Sequence, residues 1–402
     1  MISFETAAEA QAFVRHKVDV PILERRESIS EGLEFHAFTL ELEGGQFTNV
    51  YDVSYRKGDL APAIQVHDQL TSVYDYAQGH DNNVVTGGGF FFLSDHGSGL
   101  PRQLALNLAA VDGRVRNLPV MDREAVLSNG HNLSATHVQA LGTMSIGGKE
   151  LTWSGSLTSH ATDAKVFANG NAVITHEHSE ETGSTRVLDE RSRFSPDMED
   201  GEKIDVGFIS RANGTFVPME RSKTGGVDIF AHDFVVRCHE RYLAGTPEMQ
   251  VHLVGGMAVD AMRGALSVGP MLSTGDFEAH PINKDASLGG KPPFLERPLA
   301  RTTLYETEDG TVHVRLFDGR PGSEVCPGVT PSEVVKSVLG ETAIAWGCFL
   351  DPGQTAKLCV RTGDEVESLG NRHYLKWATQ SGEKYVWVPR VGRPTASVIT
   401  LQ

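Results

Sequence analysis

The sequence predicts an α+β protein, with one mixed, largely antiparallel sheet and flanking helices. Three observations carry that expectation. Between Val84 and about Leu316, short alternating apolar runs separated by turn residues dominate, which is the period of half-buried strands. Helix start signals lie on either side of that stretch, at Thr6 and Thr330. The chain of 402 residues is 40% hydrophobic and only 22% charged, enough apolar material for a sizeable core and too little charge for a disordered chain. Residues 1–45 read as an N-terminal helix and lead-in strand packed on the rest of the chain, residues 46–402.

The elements follow in order. Thr6 and Glu9 have capping-box spacing, and the Ala-rich run behind them predicts a first helix to about Val18. A second helix is expected from about Gln69 to Gln78, closed by Gly79, and then a strand at Val84-Val85 that runs into Thr86-Gly87-Gly88-Gly89-Phe90-Phe91. Asp112-Gly113 reads as a plain hairpin turn. The clearest hairpin spans Thr302 to Phe317, with Asp309-Gly310 expected to supply both positive φ angles of a type I′ turn. Thr330, Pro331 at N1 and Glu333 at N3 then start a short helix ending at Gly340. Thr342 to Leu350 is nearly all apolar and is read as a strand buried on both faces, delivering Asp351 to its end.

A net charge of −16 opposes binding to nucleic acid or to a polyanionic membrane, since both need clustered Lys and Arg. The four cysteines show no CxxC spacing, and the first residues carry acid where a signal peptide needs positive charge, so a cytoplasmic protein is expected. No cofactor or metal is implied. His176 and His178 share a strand face, but no third ligand stands at a recognisable distance, and two solvent-facing histidines on an acidic loop fit as well.

Three segments suggest chemistry. The Gly87-Gly88-Gly89 run could open main-chain amides to an anionic group, though a bulge or tight strand crossing fits it equally. Asp318-Gly319-Arg320 follows a strand and leads into a loop rather than a pairing strand; it suits a polar site or a buried ion pair. Asp351, at the end of the most apolar strand, is placed for proton transfer from a partly desolvated carboxyl, or marks a simple Pro-Gly turn.

In order along the chain, TGGGFF from Thr86, GALSVGPML from Gly264, RTTLY from Arg301, FDGR from Phe317, GVTPSEV from Gly328 and LDPGQT from Leu350 resemble the phosphodiester glycosidase family. Its known activity includes removal of N-acetylglucosamine from a sugar-phosphate diester. The resemblance implies a large twisted sheet, a single catalytic unit in which both ends of the chain build one pocket, and a small anionic substrate. It implies Asp351 and Asp318 as general acid and base with Thr355 orienting one of them, and Arg301, Arg320, Thr86, Gly88, Gly89 and Phe90 as substrate-binding residues. Two departures stand out: Gly87 replaces the family's Asn, and Pro352 and Gln354 replace two glycines. These departures keep two alternatives open, a biosynthetic tailoring enzyme using the same pocket and a non-catalytic binding homologue. Oligomeric state is not legible.

Overall fold

The computed structural model describes residues 2–18, 20–91, 108–117, 123–138, 142–146, 149–153, 164–168, 203–211, 215–223, 227, 232, 234–239, 249–253, 263–273, 277, 295–320, 323–340, 342–370, 374–379, 382–387 and 391–402. They fall into two compact units, residues 1–89, 269–278 and 292–402 in the first and 90–268 with 279–291 in the second.

The first unit begins with β1 (Ile2–Phe4), α1 (Ala7–Val18), β2 (Arg25–Ser30), β3 (Leu33–Glu41), β4 (Phe47–Arg56), β5 (Pro62–Ser72), α2 (Val73–Gly79) and β6 (Val84–Gly87). The second unit holds β7 (Ala109–Val111), β8 (Arg114–Asn117), β9 (Arg123–Ser128), β10 (Leu133–Val138), β11 (Gly142–Ile146), β12 (Lys149–Trp153), β13 (Ala164–Ala168), β14 (Lys203–Ser210), β15 (Thr215–Ser222), β16 (Phe234–His239), β17 (Met249–Leu253) and β18 (Gly264–Ser267). They form a five-stranded sheet, β10-β9-β18-β7-β8, and a seven-stranded one, β12-β11-β17-β15-β14-β16-β13. The chain returns to the first unit with β19 (Arg301–Thr307), β20 (Thr311–Phe317), α3 (Pro331–Leu339), β21 (Ile344–Phe349), β22 (Leu358–Thr362), β23 (Glu365–Leu369), β24 (Tyr374–Thr379), β25 (Gly382–Trp387) and β26 (Pro394–Leu401).

The first unit has a six-stranded sheet, β2-β3-β4-β20-β19-β21, a five-stranded sheet, β23-β22-β6-β26-β5, and a small one, β1-β25-β24. All five sheets of the protein are antiparallel and only three α-helices occur among the described residues, so the fold is mainly β. This corrects the expected α+β class with flanking helices. Capping boxes are strong local signals, but here they start helices of only 12 and 9 residues. The stretch from Arg25 to Ser72, much of it polar, pairs as strands. The second helix starts at Val73 and not Gln69, because Thr71 and Ser72 still pair with Thr395 and Pro394; the Ser72 hydroxyl caps it by accepting the Asp75 N–H at 2.9 Å.

Opposed residues in antiparallel strands share a face, so the register of the six-stranded sheet sorts its side chains into rows. One row is Phe38, Val50, Phe317 and Arg301; the next is His36, Asp52, Arg315, Thr303 and Phe349; the third is Glu34, Ser54, His313, Tyr305 and Gly347. Helix α3 covers the apolar part of this face, packing Val334, Val335 and Val338 against Val50, Phe317, Tyr305 and Phe349. Each such side chain, fully buried, contributes roughly 1.5–3 kcal/mol. The helix is as expected, with both arms of the Thr330–Glu333 capping box present.

Two other expectations shift. β21 is the sheet's edge and its first half is partly exposed, so it is not buried on both faces. At the β19–β20 turn only Gly310 has positive φ, whereas Asp112 and Gly113, between β7 and β8, are both positive, which places the type I′ geometry there. His176 and His178 lie outside the described residues. No helix among the described residues is long and apolar enough to cross a membrane.

Past β20 the backbone folds on itself at glycines. A Cβ on Gly319 would sit 2.1 Å from Gly328 Cα, and one on Gly328 would sit 2.4 Å from the Leu299 carbonyl carbon. Gly319→Ala is therefore expected to lower stability by about 3 kcal/mol or more through overpacking. Gly310→Ala, at φ +82° with nothing within 4 Å, carries only the strain of positive φ, roughly 1 kcal/mol. Thermal melts of the two variants check the difference; equal losses would show that the Gly319–Gly328 approach is not a constraint.

Candidate active site

Between β21 and β22 the chain crosses from the six-stranded to the five-stranded sheet, and Asp351 to Thr355 lie on that crossing. Three backbone bonds fix its start. Leu350 N–H donates to Thr302 O at 2.9 Å, Gly353 N–H to Ala300 O at 2.7 Å, and Asp351 N–H to Gly88 O at 3.0 Å. The first extends the β19–β21 pairing one residue beyond Thr303 opposite Phe349, and the second leaves that register by one residue. A 3₁₀ turn over Gly353–Thr355 then folds Thr355 back, and its hydroxyl donates to Asp351 Oδ2 at 2.7 Å. The same oxygen stands 3.0 Å from Pro352 O and 3.2 Å from Asp351 O.

Thr86, Gly87, Gly88 and Gly89 line up alongside. The Thr86 hydroxyl donates to Lys357 O at 2.9 Å. At Gly87 a Cβ would lie 2.7 Å from Thr355 O, so no side chain fits there. Gly88 N–H donates to Ser397 O at 3.0 Å and Gly89 N–H to Ser397 Oγ at 3.1 Å. Both amides expected to face an anion are thus already bonded within the fold.

Arg301 is 1% exposed, with Nε donating to Val329 O and a terminal nitrogen to Arg297 O, each at 2.8 Å, and its guanidinium 5.9 Å from the Phe349 ring centroid. Both acceptors are neutral carbonyls. Burial, aided by the nearby charge of Arg297 and opposed by Glu333, pulls its pKa down to about 9. One row away Arg315 is in the opposite situation. It bonds Asp52 Oδ2 at 3.1 Å, and His313 Nδ1 meets the same oxygen at 3.0 Å. Burial pushes the Asp52 carboxyl up, but Arg315 and His313 outweigh it and hold it at about 2.

Asp318 is 3% exposed; its Oδ1 accepts the Gly319 N–H at 2.8 Å and its carbonyl accepts the Thr48 hydroxyl at 2.7 Å. Arg320, also 3% exposed, donates its N–H to Cys326 O. Val329, the acceptor of Arg301 Nε, pairs with Leu299 on the Gly328 side of this loop. Phe90 is buried and belongs to the second unit. Of the nine residues expected from the sequence, Asp351 alone is partly exposed, and the other eight are buried. Two neighbours had no sequence signal: Ser397, in an ordinary alternating strand, and Lys357, 1% exposed with Nζ donating to Gly370 O at 3.0 Å. A groove of about 350 Å³ between β3 and α3, lined by Leu40, Leu42, Glu43, Glu333 and Lys336 among others, includes none of the nine. No cluster of three or more metal-ligating side chains occurs among the described residues.

No family model and no curated protein matches the chain. Among solved structures, a hypothetical protein from Synechocystis superposes with TM-score 0.57 at 13% identity, covering 94% of this chain and 64% of its own. The two share a fold. The chain spans less than two thirds of that protein's length. A candidate exported protein from Burkholderia pseudomallei gives TM-score 0.49 at 15% identity, over 89% of this chain and 74% of its own. The zebrafish N-acetylglucosamine-1-phosphodiester alpha-N-acetylglucosaminidase catalytic domain, auto-inhibited by pro-peptide, gives 0.39 at 11%, over 100% and 95%.

The Asp52 cluster sets an acid limit. Its folded pKa of about 2 lies below the ordinary 3.8, so the stability it contributes is complete above pH 3.8 and is lost as pH falls towards 2. Asp52→Asn leaves Arg315 buried opposite an amide and is expected to cost about 3–5 kcal/mol at neutral pH. It should also flatten the fall in melting temperature across that window, and an unchanged acid slope would remove Asp52 from the account.

Proposed function

We propose that the protein is a hydrolase acting at the anomeric carbon of a phosphate-linked or otherwise anionic sugar derivative, with Asp351 as its general acid or base. The observation that carries this reading is a partly exposed carboxylate held by the Thr355 hydroxyl at 2.7 Å on a sheet crossing fixed by three backbone bonds. A carboxyl whose rotamer is fixed in this way gives and takes a proton along one direction, which general acid–base catalysis requires.

Arg301 supports an anionic substrate through its field. It is buried, both of its hydrogen-bond acceptors are neutral carbonyls and Glu333 offsets only part of the effect of burial, so negative charge arriving nearby is favoured. A local cation is needed because the net charge of −16 opposes an anion elsewhere. Arg320 adds to that field. Asp318 is the second carboxylate, stabilising oxocarbenium character or activating water. Thr86, Gly88 and Gly89 serve as the rigid floor beneath Asp351.

The test is incubation of the purified protein with an N-acetylglucosamine phosphodiester surrogate and with a neutral aryl glycoside. Turnover of the phosphodiester and not of the neutral glycoside is expected. Asp351→Asn should lower kcat by about 100-fold or more while circular dichroism and melting stay those of the wild type. Turnover of neither compound, or an Asp351→Asn variant as active as the wild type, would refute the assignment.

A further inference from the structure

We propose that Ser397 is a positioning residue for Asp351, acting through a single peptide group; the proposal rests on the role given to Asp351 above. The carbonyl of Gly88 and the N–H of Gly89 belong to the same planar unit. On one side the carbonyl accepts the Asp351 N–H at 3.0 Å, and on the other the N–H donates to Ser397 Oγ at 3.1 Å. Holding one end of a planar trans peptide aims the other. This peptide needs holding, because glycine on both sides leaves few steric barriers to its rotation.

Strand β6 ends at Gly87, and Val398 is opposite Gly87, so Ser397 falls opposite Gly88 just beyond the paired segment. There its main chain still takes the Gly88 N–H, and its side chain supplies the acceptor that the ladder no longer provides for Gly89. Ser397 is fully buried, and Thr395 supports it by donating its hydroxyl to Ser397 O at 3.1 Å. The route from Ser397 to the carboxylate is therefore short. It runs from Ser397 Oγ to the Gly88–Gly89 peptide, then to the Asp351 backbone, whose carboxylate meets Thr355 at 2.7 Å. Without the Ser397 hydroxyl the peptide loses its fixed plane, the Asp351 N–H loses its acceptor part of the time, and the Thr355 bond to the carboxylate loosens.

Three variants test this on the full chain. Ser397→Ala removes the acceptor, Ser397→Cys keeps the volume with a poor acceptor, and Ser397→Thr keeps the hydroxyl. Amide exchange at Asp351 and the titration of its carboxyl, followed by NMR, are read beside kcat and KM on the phosphodiester surrogate. In the Ala and Cys variants, Asp351 is expected to exchange about tenfold faster and its carboxyl to titrate at higher pH, because a weakened bond to the charged form raises the pKa. Their kcat should fall about tenfold or more with KM near wild type, since misplacing a catalytic group acts on the chemical step. Ser397→Thr should restore the wild-type values. A loss of melting temperature alone, with Asp351 exchange and titration unchanged in both Ala and Cys variants, would overturn the proposal. Should the wild type turn over no probe, exchange and titration still decide the role of Ser397, while the proposed reaction fails separately.

Discussion

The passage of one chain segment between two sheets is the constraint on which the candidate site depends. From Leu350 to Lys357 the backbone leaves the edge of the six-stranded sheet and enters the interior of the five-stranded one, and buried main-chain groups along such a path must find partners. They find them in two places far apart in sequence: Ala300 and Thr302 on one side, and on the other Gly88 O together with the Gly87 N–H, which donates to Lys357 O at 3.3 Å. The crossing brings Gly87 within a Cβ clash of Thr355 O, so the close approach and the glycine imply each other. Asp351 acquires a fixed position because its neighbours in the chain must satisfy the ladders of both sheets.

Two arginines on adjacent rows of one sheet face show how the surroundings divide structural from chemical roles. Arg315 has a carboxylate at 3.1 Å that also holds His313, and this buried charge is balanced inside the fold. Arg301, which is more deeply buried, donates to two carbonyls, and burial outweighs the opposing charge of Glu333, so that its pKa falls to about 9. A fold gains little from an unbalanced buried cation, since desolvation exceeds what neutral acceptors return.

Local chemistry was legible in the sequence wherever a few consecutive residues decide the outcome. The Thr330-Pro331-Glu333 start of α3, the Thr6–Glu9 box of α1 and the β19–β20 hairpin all stand where their residue types place them. What depends on pairing across the chain was not legible. Gln69 to Ser72 looks helical by itself, but part of it pairs with β26. The edge position of β21 follows from sheet order and not from its apolar composition. For the site, Asp351 and Thr355 were legible as a motif, whereas Ser397 was not, because a serine in an alternating strand carries no sign of which N–H it will meet more than 300 residues away.

The two departures in the glycine-rich motifs take on a different meaning once the crossing is known. Read alone, Gly87 in place of Asn removes an amide side chain, and Pro352 in place of glycine removes a main-chain N–H. In the fold, no side chain at Gly87 would clear Thr355 O, so the exchange allows the two segments to close up. Pro352 is buried, and a proline there brings no N–H that would need a partner, while its carbonyl lies 3.0 Å from the Thr355 hydroxyl that holds Asp351. With the Gly88 and Gly89 amides bonded to Ser397, this loop offers an anion fewer main-chain donors than an open glycine run would.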